Sequence, residues 1–278
     1  MALFCLRVDI DSRFGLLNGV PKLLEALRKQ DAKASFYVPM GGESTLPELL
    51  RHRGGERGAA GGVKLPALEI LRMCLLPRNF AEENITLLKR ITDEGHELGV
   101  HGWKHRAWTR SLASINAAGH VALATRKFEE LFGRKPKSFA APAFKTSRTV
   151  LEALDAFGYS AAGDLEGDAP FKPVVGGKEY SCVQVPITLK MPNTDPLIEA
   201  FSLQGMNDND VVARVCGMID ELEARGKLAS LYCHDLFEGT AKPHVVEAVL
   251  AHVKMQGYEL STVEKIGAGA TARKQIVF

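Results

Sequence analysis

Two aspartates and three histidines stand where apolar segments of the sequence end. Asp9 and Asp11 close the segment LRVDID, His101 and His105 follow ELGV, and His234 ends LASLYCH. Aspartate and histidine supply the oxygen and nitrogen atoms that bind divalent metals, and both also act as general acids and bases. The five residues together predict a metal-assisted hydrolytic site.

The spacing of these residues suggests how the work is divided. His101 and His105 are four apart, so a helical turn would place both imidazoles on one face for a metal. Asp9 and Asp11 are two apart and would share a face of a strand, one as a metal ligand and the other as base toward water. His234 would protonate the leaving group. These parts predict hydrolysis of an acyl group.

Each pattern also has an ordinary explanation. An Asp-x-Asp pair often caps a turn or a helix, and an isolated H-x-x-x-H pair is a weak indication of a metal site. His234 could be a buried structural histidine, and Cys233 beside it is expected to fill space in a strand. His96 is expected to belong to the turn before its strand. The joint occurrence of the five residues is therefore what favours a catalytic site.

Other residues near predicted strand ends are candidates to bind or orient a substrate. Trp103 would line the site or pack beneath it. The candidates for substrate binding or orientation are Trp103, Phe144, Lys145, Asp164 and Glu238.

Strand-like and helix-like segments alternate along the sequence. The predicted strands are 3–10, 34–38, 97–101, 138–142, 159–164, 180–189, 227–234 and 258–262, and the predicted helices are 19–30, 83–95, 111–132, 147–158, 209–226 and 243–257. This alternation implies parallel strands with helical crossovers. For 278 residues it predicts an α/β fold with seven to eight strands in a closed or nearly closed β/α barrel, whose active site lies at the carboxyl ends of the strands.

Composition limits the remaining function classes. The net charge of +2 argues against a nucleic-acid-binding protein. The first apolar run is too short for a signal peptide, and no window is long and apolar enough for a membrane span. The five scattered cysteines form no C-x-x-C pair, which favours a cytoplasmic protein. We expect one catalytic domain over residues 1–278.

Residues 41–80 interrupt the alternation as an insert between predicted strands two and three. A Gly- and Arg-rich stretch is followed by an apolar, basic one. The segment is expected to be either an extra helix packed on the barrel or a lid. Its part at 63–80 could also contact an anionic membrane surface, since basic apolar segments bind there.

The order of the motifs DID, HGWKH, APAF and LYCH resembles the polysaccharide deacetylases, the superfamily that includes the nodulation-factor deacetylases. The segments LRVDIDS, GHELGVHGWKHRAW, GDLEGDAPFKP and HDLFEG are more similar to its deformylases that act on formamido-arabinose carried by undecaprenyl phosphate. The resemblance spans essentially the entire sequence.

The resemblance implies a distorted β/α barrel, with Asp9 as base, His234 as acid, and Asp11, His101 and His105 as ligands of one divalent metal. Zinc, manganese, cobalt and nickel all suit such a ligand set. It further implies removal of a formyl group from a lipid-linked amino sugar in lipid A modification, at the inner face of the inner membrane.

The resemblance also assigns two supporting residues. Asp164 resembles the acid that pairs with the late histidine, and Lys145 would replace an Arg that usually orients the base. Two alternatives remain open. One is a related deacetylase or amidohydrolase acting on a soluble or cell-wall amino sugar, and the other is a non-catalytic sugar-binding module.

Overall fold

The computed structural model describes residues 2–42 and 79–278, and between these ranges Val63, Pro66, Glu69, Leu71 and Arg72. The predicted lid at 41–80 and the predicted membrane contact at 63–80 therefore lie almost wholly outside the described residues. Within the described part of the chain, no helix is both long enough and apolar enough to cross a bilayer.

Strands and helices alternate along the described chain, as the sequence predicts. The strands are β1 (Leu3–Asp9), β2 (Ser35–Val38), β3 (Glu97–Val100), β4 (Ser138–Phe139), β5 (Ala161–Ala162), β6 (Lys172–Val175), β7 (Lys178–Glu179), β8 (Val183–Gln184), β9 (Ala229–His234), β10 (Glu259–Leu260) and β11 (Arg273–Gln275). The α-helices are α1 (Arg13–Asn18), α2 (Val20–Lys29), α3 (Phe80–Glu83), α4 (Ile85–Asp93), α5 (His105–Arg110), α6 (Ala117–Phe132), α7 (Arg148–Phe157), α8 (Leu197–Leu203), α9 (Asp208–Ala224), α10 (Phe237–Ala241), α11 (Pro243–Met255) and α12 (Val263–Ala268). Two short 3₁₀ helices cover Leu112–Ser114 and Pro142–Phe144.

Eight of the described strands form one parallel sheet that curls into an incomplete barrel. Its order is β10-β1-β2-β3-β4-β5-β8, and β9 also pairs with β1 along six residues. A parallel bridge joins Leu189, just after β8, to Leu231 of β9, so the two ends of the sheet approach each other. The predicted distorted β/α barrel, with its insert between β2 and β3, is confirmed.

Side chains of β1 alternate between the helical layer and the barrel interior, because neighbouring residues of a strand point to opposite faces. Phe4, Leu6 and Val8 pack in the large apolar cluster that includes the surrounding helices. Cys5 belongs to a smaller cluster formed largely by residues of the sheet. Arg7 and Asp9 therefore face the barrel interior, where both are buried.

The turn that leaves β1 is fixed by the start of α1. The Ser12 hydroxyl accepts a hydrogen bond from the Gly15 amide at 3.0 Å, which caps the helix. Asp11 lies in this turn, and its amide donates to Oδ1 of Asp235 at 3.1 Å. A Cβ at position 15 would lie only 2.3 Å from Oδ2 of Asp235. Glycine at this position therefore leaves room for the buried carboxyl that holds the turn.

A second sheet of three strands, which the sequence reading missed, contains β6, β7 and β11. Strands β6 and β7 are antiparallel and joined by Gly176 and Gly177, whose φ angles are 57° and 82°. Two consecutive residues with positive φ suit a tight hairpin turn, so this Gly-Gly pair was a usable signal. β11 adds to β6 in parallel and brings the chain after Gln275 back toward the barrel mouth.

Candidate active site

Asp11, His101 and His105 meet at the carboxyl ends of β1 and β3. Oδ1 of Asp11 lies 3.4 Å from Nε2 of His101 and 3.4 Å from Nε2 of His105. These ligand atoms lie within 4.8 Å of one another. Oδ1 is buried and has no hydrogen-bond partner among the described residues. Three ligand atoms thus converge on one point.

The two histidines do not share a helical turn, contrary to the sequence expectation. His101 directly follows β3, and His105 is the first residue of α5. Gly102, with a φ of 73°, turns the chain between them. The pair therefore combines a strand end with a helix start, and the imidazole rings still lie with their centroids 5.1 Å apart.

The protonation of this group suits a divalent metal ion. Nδ1 of His101 lies 2.8 Å from the Ala140 carbonyl oxygen, to which it donates, so Nε2 is the ring nitrogen directed at Asp11. Burial lowers the pKa of His105 to about 4, even though Asp11 favours its charged form. Burial would raise the pKa of Asp11, but His105 and its neighbours lower it overall. The neutral imidazole of His105, the imidazole of His101 with its Nδ1 engaged, and one carboxylate therefore fit a divalent ion.

Asp9 is held by a cation from its own strand. Nε and Nη2 of Arg7 donate to Oδ1 and Oδ2 of Asp9, both at 2.7 Å. Burial would raise the pKa of Asp9, but the charge of Arg7 lowers it overall. The ammonium of Lys145 donates instead to the Thr109 carbonyl. The base-orienting cation expected at Lys145 is thus Arg7, because residues two apart in a strand share a face.

Asp164 also belongs to the Arg7 group rather than to the late histidine. Its Oδ1 accepts from the Ala141 amide at 2.6 Å and lies 3.7 Å from Nη1 of Arg7. Burial raises the pKa of Asp164 to about 6, although Arg7 opposes this. The expected pairing of Asp164 with His234 is therefore corrected: this carboxyl lies beside the guanidinium that holds Asp9.

His234 faces Asp11 on one side and Glu199 on the other. Its Nε2 lies 3.6 Å from Oδ2 of Asp11, and its Nδ1 lies 3.7 Å from Oε2 of Glu199. Burial alone would lower the pKa of His234, but Glu199 and then Asp11 raise it to about 10. Glu199, in α8, thus takes the place that the resemblance gave to Asp164. The sequence reading missed this residue.

Glu238 links the strand of His234 to the helix of Glu199. Its Oε2 accepts from the His234 amide at 2.9 Å, and its Oε1 accepts from the Glu199 amide at 3.1 Å. Glu199, His234 and Glu238 also form a second group with metal-ligand spacing. Both oxygens of Glu238 already accept backbone hydrogen bonds, so the first group suits a metal better. Glu238 therefore fixes the backbone at His234 and Glu199 and is not placed as a metal ligand.

Aromatic residues surround the charged groups. Phe144 stacks on Arg7, with the guanidinium carbon 4.6 Å from the ring centroid, and meets Tyr232 edge-on at 5.1 Å. Trp108 is fully buried and donates to the Lys145 carbonyl at 2.8 Å, so it packs beneath the site. Trp103 is half-buried, and its carbonyl accepts from the Gly41 amide at 2.7 Å.

Two residues that sequence reading set aside have structural functions. His96 precedes β3, and its Nδ1 accepts from the Ala34 amide at 3.3 Å. Cys233 is fully buried on β9, and burial raises the pKa of its thiol well above the usual value. A thiolate nucleophile at Cys233 is therefore unfavourable.

Comparison with known proteins finds similarity to the polysaccharide deacetylases in part of the sequence and similarity of fold to solved structures. Residues 72–162 match the family model described as polysaccharide deacetylase. The probable 4-deoxy-4-formamido-L-arabinose-phosphoundecaprenol deformylase ArnD of Shewanella sediminis is 25% identical over 248 residues, which cover 84% of this chain and 78% of that protein. The protein of the same name from Wigglesworthia glossinidia brevipalpis is 26% identical, covering 66% of this chain and 67% of its own length.

Among solved structures, one from Mycobacterium smegmatis assigned to the polysaccharide deacetylases superposes with a TM-score of 0.69. The alignment covers 98% of this chain and 93% of the other at 16% identity, so it concerns the fold alone. The resemblance that the sequence motifs indicated is confirmed.

Proposed function

We propose that the chain is a metal-dependent hydrolase that removes an N-formyl group from a lipid-linked amino sugar, because residues 72–162 match the polysaccharide deacetylase family model and the similar proteins are named as deformylases. One observation carries the proposal. A carboxylate kept ionised, Asp9, and an imidazole kept protonated, His234, flank the group formed by Asp11, His101 and His105. A base and an acid placed on two sides of a metal site are what amide hydrolysis needs.

In the proposed reaction each residue of the chain has a defined task. Asp11, His101 and His105 would hold one divalent ion, which when bound polarises the amide carbonyl and makes water more acidic. Asp9 accepts the proton of the attacking water. Arg7 favours the ionised form of Asp9, and its two hydrogen bonds also fix the direction of the carboxylate.

The leaving nitrogen needs a proton before the amide C–N bond can break. His234 supplies it from Nε2, the ring nitrogen that faces Asp11. Glu199, beside Nδ1, favours the imidazolium and fixes which nitrogen faces the site. A sugar-binding module would need neither a base nor an acid. Their presence on two sides of the candidate metal site therefore favours a catalytic function over a binding one.

The names of two similar proteins support the proposal that the substrate is a lipid-linked formamido sugar. Two proteins similar over 84% and 66% of this chain are named for formamido-arabinose on phosphoundecaprenol. The proposal therefore places the enzyme at the cytoplasmic face of the membrane in lipid A modification, with residues 1–278 as one catalytic domain. The family model, described for polysaccharide deacetylases, supports a second candidate, an N-deacetylase of a soluble or cell-wall amino sugar.

An acyl-release assay tests both candidates. Purified protein is loaded separately with zinc, manganese, cobalt or nickel and given N-formyl and N-acetyl amino sugars, each free and linked to a polyprenyl phosphate. Formate released from the lipid-linked formyl substrate is the expected result. Acetate released preferentially from the free sugars would favour the second candidate, and no release with any metal would refute a hydrolase.

A further inference from the structure

The turn after β1 carries the first of the three proposed metal ligands. Asp9 is the last residue of β1, and Asp11 lies beyond it, ahead of α1. Oδ1 of Asp11 nevertheless lies 3.4 Å from Nε2 of both His101 and His105. An aspartate side chain is short, so the position of its carboxylate closely follows the position of its backbone. The residue that holds the Asp11 backbone therefore bears directly on the metal site.

Asp235 holds this turn on both sides of Ile10. The Asp235 amide donates to the Asp9 carbonyl at 3.0 Å, directly after the pairing of β9 with β1. Oδ1 of the Asp235 side chain accepts from the Asp11 amide at 3.1 Å. The Ile10 amide donates to the Tyr37 carbonyl of β2 at 2.9 Å. One residue thus fixes the backbone of both aspartates, while the neighbouring strand holds the residue between them.

The Asp235 carboxyl occupies a space bordered by glycines. Asp235 is fully buried. A Cβ at Gly15 would overlap its carboxyl, and a Cβ at Gly19 would overlap its carbonyl oxygen. Gly239 packs against Gly19 from the other side, where a Cβ would lie 2.8 Å from the Gly19 Cα. The chain around α1 and α10 therefore approaches Asp235 as closely as glycine allows.

The buried carboxyl is costly as a purely structural feature. Oδ2 of Asp235 is buried and has no hydrogen-bond partner among the described residues. A buried polar atom without a partner lowers stability by about 1–3 kcal/mol. An apolar side chain of similar size would fill the space without this cost, but it could not accept from the Asp11 amide. The hydrogen bond to Asp11 is therefore what the carboxyl adds.

We propose that Asp235 is a positioning residue of the metal site, which directs the Asp11 carboxylate toward the two histidines by holding the Asp11 amide. Gly15 contributes by leaving the space that the Asp235 carboxyl occupies. The inference rests on the proposed metal site and extends it by one residue that does not itself contact the ion. Replacing residues that hold metal ligands typically lowers metal affinity about 10- to 100-fold.

Metal affinity measured without substrate tests this inference. The full chain is stripped of metal with a chelator and titrated calorimetrically with zinc chloride. Asp235→Ala is expected to weaken zinc binding about 10- to 100-fold, because the Asp11 amide loses its acceptor. Asp235→Asn keeps a side-chain oxygen for that amide and should bind zinc nearly as well as the wild type. An equal loss in Asp235→Asn and Asp235→Ala would overturn the inference, because the charge rather than the hydrogen bond would then be responsible.

A double-mutant cycle with Gly15 tests the same contact from the other side. Gly15→Ala places a methyl group against the Asp235 carboxyl and should also weaken zinc binding, without removing any polar group. In the Asp235→Ala background the carboxyl is absent, so Gly15→Ala should cause no further loss. Additive losses from the two substitutions would contradict the proposed contact.

Gly217→Ala is the matched control for the glycine substitution. Gly217 is exposed within α9, and a Cβ there would have no described atom within 4 Å apart from the backbone of its own helix. This variant should bind zinc as the wild type does. A loss as large as that of Gly15→Ala would show that the effect at Gly15 is not specific to the Asp235 carboxyl, and would overturn the inference.

Protein stability separates a positioning function from a structural one. Thermal melting shows whether each variant is folded at the temperature of the titration, and Gly15→Ala serves as the second variant if Asp235→Ala does not fold. A lower melting temperature with unchanged zinc affinity would assign Asp235 to the fold alone and overturn the inference, while leaving the proposed function intact. Wild-type protein that binds no zinc would instead refute the proposed metal site, and this inference with it.

Discussion

Replacing Arg7 with methionine is the sharpest test of how the base is held. Arg7 is 1% exposed and contacts Asp9 through two hydrogen bonds of 2.7 Å, with Asp164 3.7 Å away. Methionine keeps much of the length of the side chain but removes the charge and the donors. Arg7→Met would therefore leave two buried carboxyls without the cation between them.

The expected cost follows from this burial. Breaking a buried ion pair by removing one partner costs about 3–5 kcal/mol of unfolding free energy, because the remaining charge is desolvated and unpaired. Arg90→Met is a matched control, since Arg90 forms an exposed pair with Glu94 at 2.5 Å. A surface pair on a helix contributes only about 0.3–0.5 kcal/mol. Urea denaturation of the two variants should separate these values clearly.

Activity should change in a way that simple destabilisation would not produce. Without the guanidinium, burial raises the pKa of Asp9, so the acid limb of the kcat/KM profile moves to higher pH. Misplacement of the base should also lower kcat about 100-fold. Arg7→Lys keeps the charge but loses the two-pronged geometry, so its kcat should lie between those of the wild type and Arg7→Met.

The assay is formate release from pH 5 to 9 at a temperature where the variants remain folded. An Arg7→Met protein with the acid limb of the wild type would refute the assignment of Arg7 as the residue that orients Asp9. Unchanged stability would refute the buried pair itself.

The remaining predictions concern the metal, the acid and a buried histidine. His101→Ala should lose bound metal and activity together, with metal content measured by plasma emission. Asp9→Asn should keep the metal and lose turnover. Loss of metal in Asp9→Asn would reverse the assignment of the two aspartates. Glu199→Gln should lower kcat about 10- to 100-fold with little change in KM, because the imidazolium loses its anionic partner; a change confined to KM would contradict this. Burial lowers the pKa of His96 to about 4 from an ordinary value near 6.5, so the unfolded chain takes up a proton before the folded protein does. The unfolding free energy should therefore fall by up to about 3 kcal/mol as the pH drops from about 6.5 to about 4. Urea denaturation of His96→Gln should show a smaller fall. An equal fall in the variant would show that other groups cause the pH dependence.

Much of the barrel could be predicted from the sequence because its signals are local. Apolar runs ended by Gly or polar residues indicated the eight strands of the main sheet, and the residues directly after β1, β3 and β9 include Asp11 and His101. Parallel strands bring their carboxyl ends to one edge, so placing these residues together required only the fold class.

The supporting residues were harder to predict, for different reasons. Arg7 carried a usable signal: a cation two residues before Asp9, in an otherwise apolar strand, must share its face of the sheet. Glu199 carried none, since α8 was not predicted and the contact with His234 depends on how a helix packs across the barrel mouth. Lys145 and Asp164 were placed by resemblance, and only tertiary packing shows that both belong elsewhere.

The distribution of the site along the chain sets an order for its assembly. Arg7, Asp9 and the metal-binding group all come from the first 105 residues, so those ligands exist early in synthesis. The acid His234 arrives on β9, which must insert beside β1 across more than half of the sequence. Contacts so distant in sequence form slowly during folding. Under the proposed function, the nascent chain would complete the candidate metal group before the acid, so amide cleavage would have to wait until β9 pairs with β1.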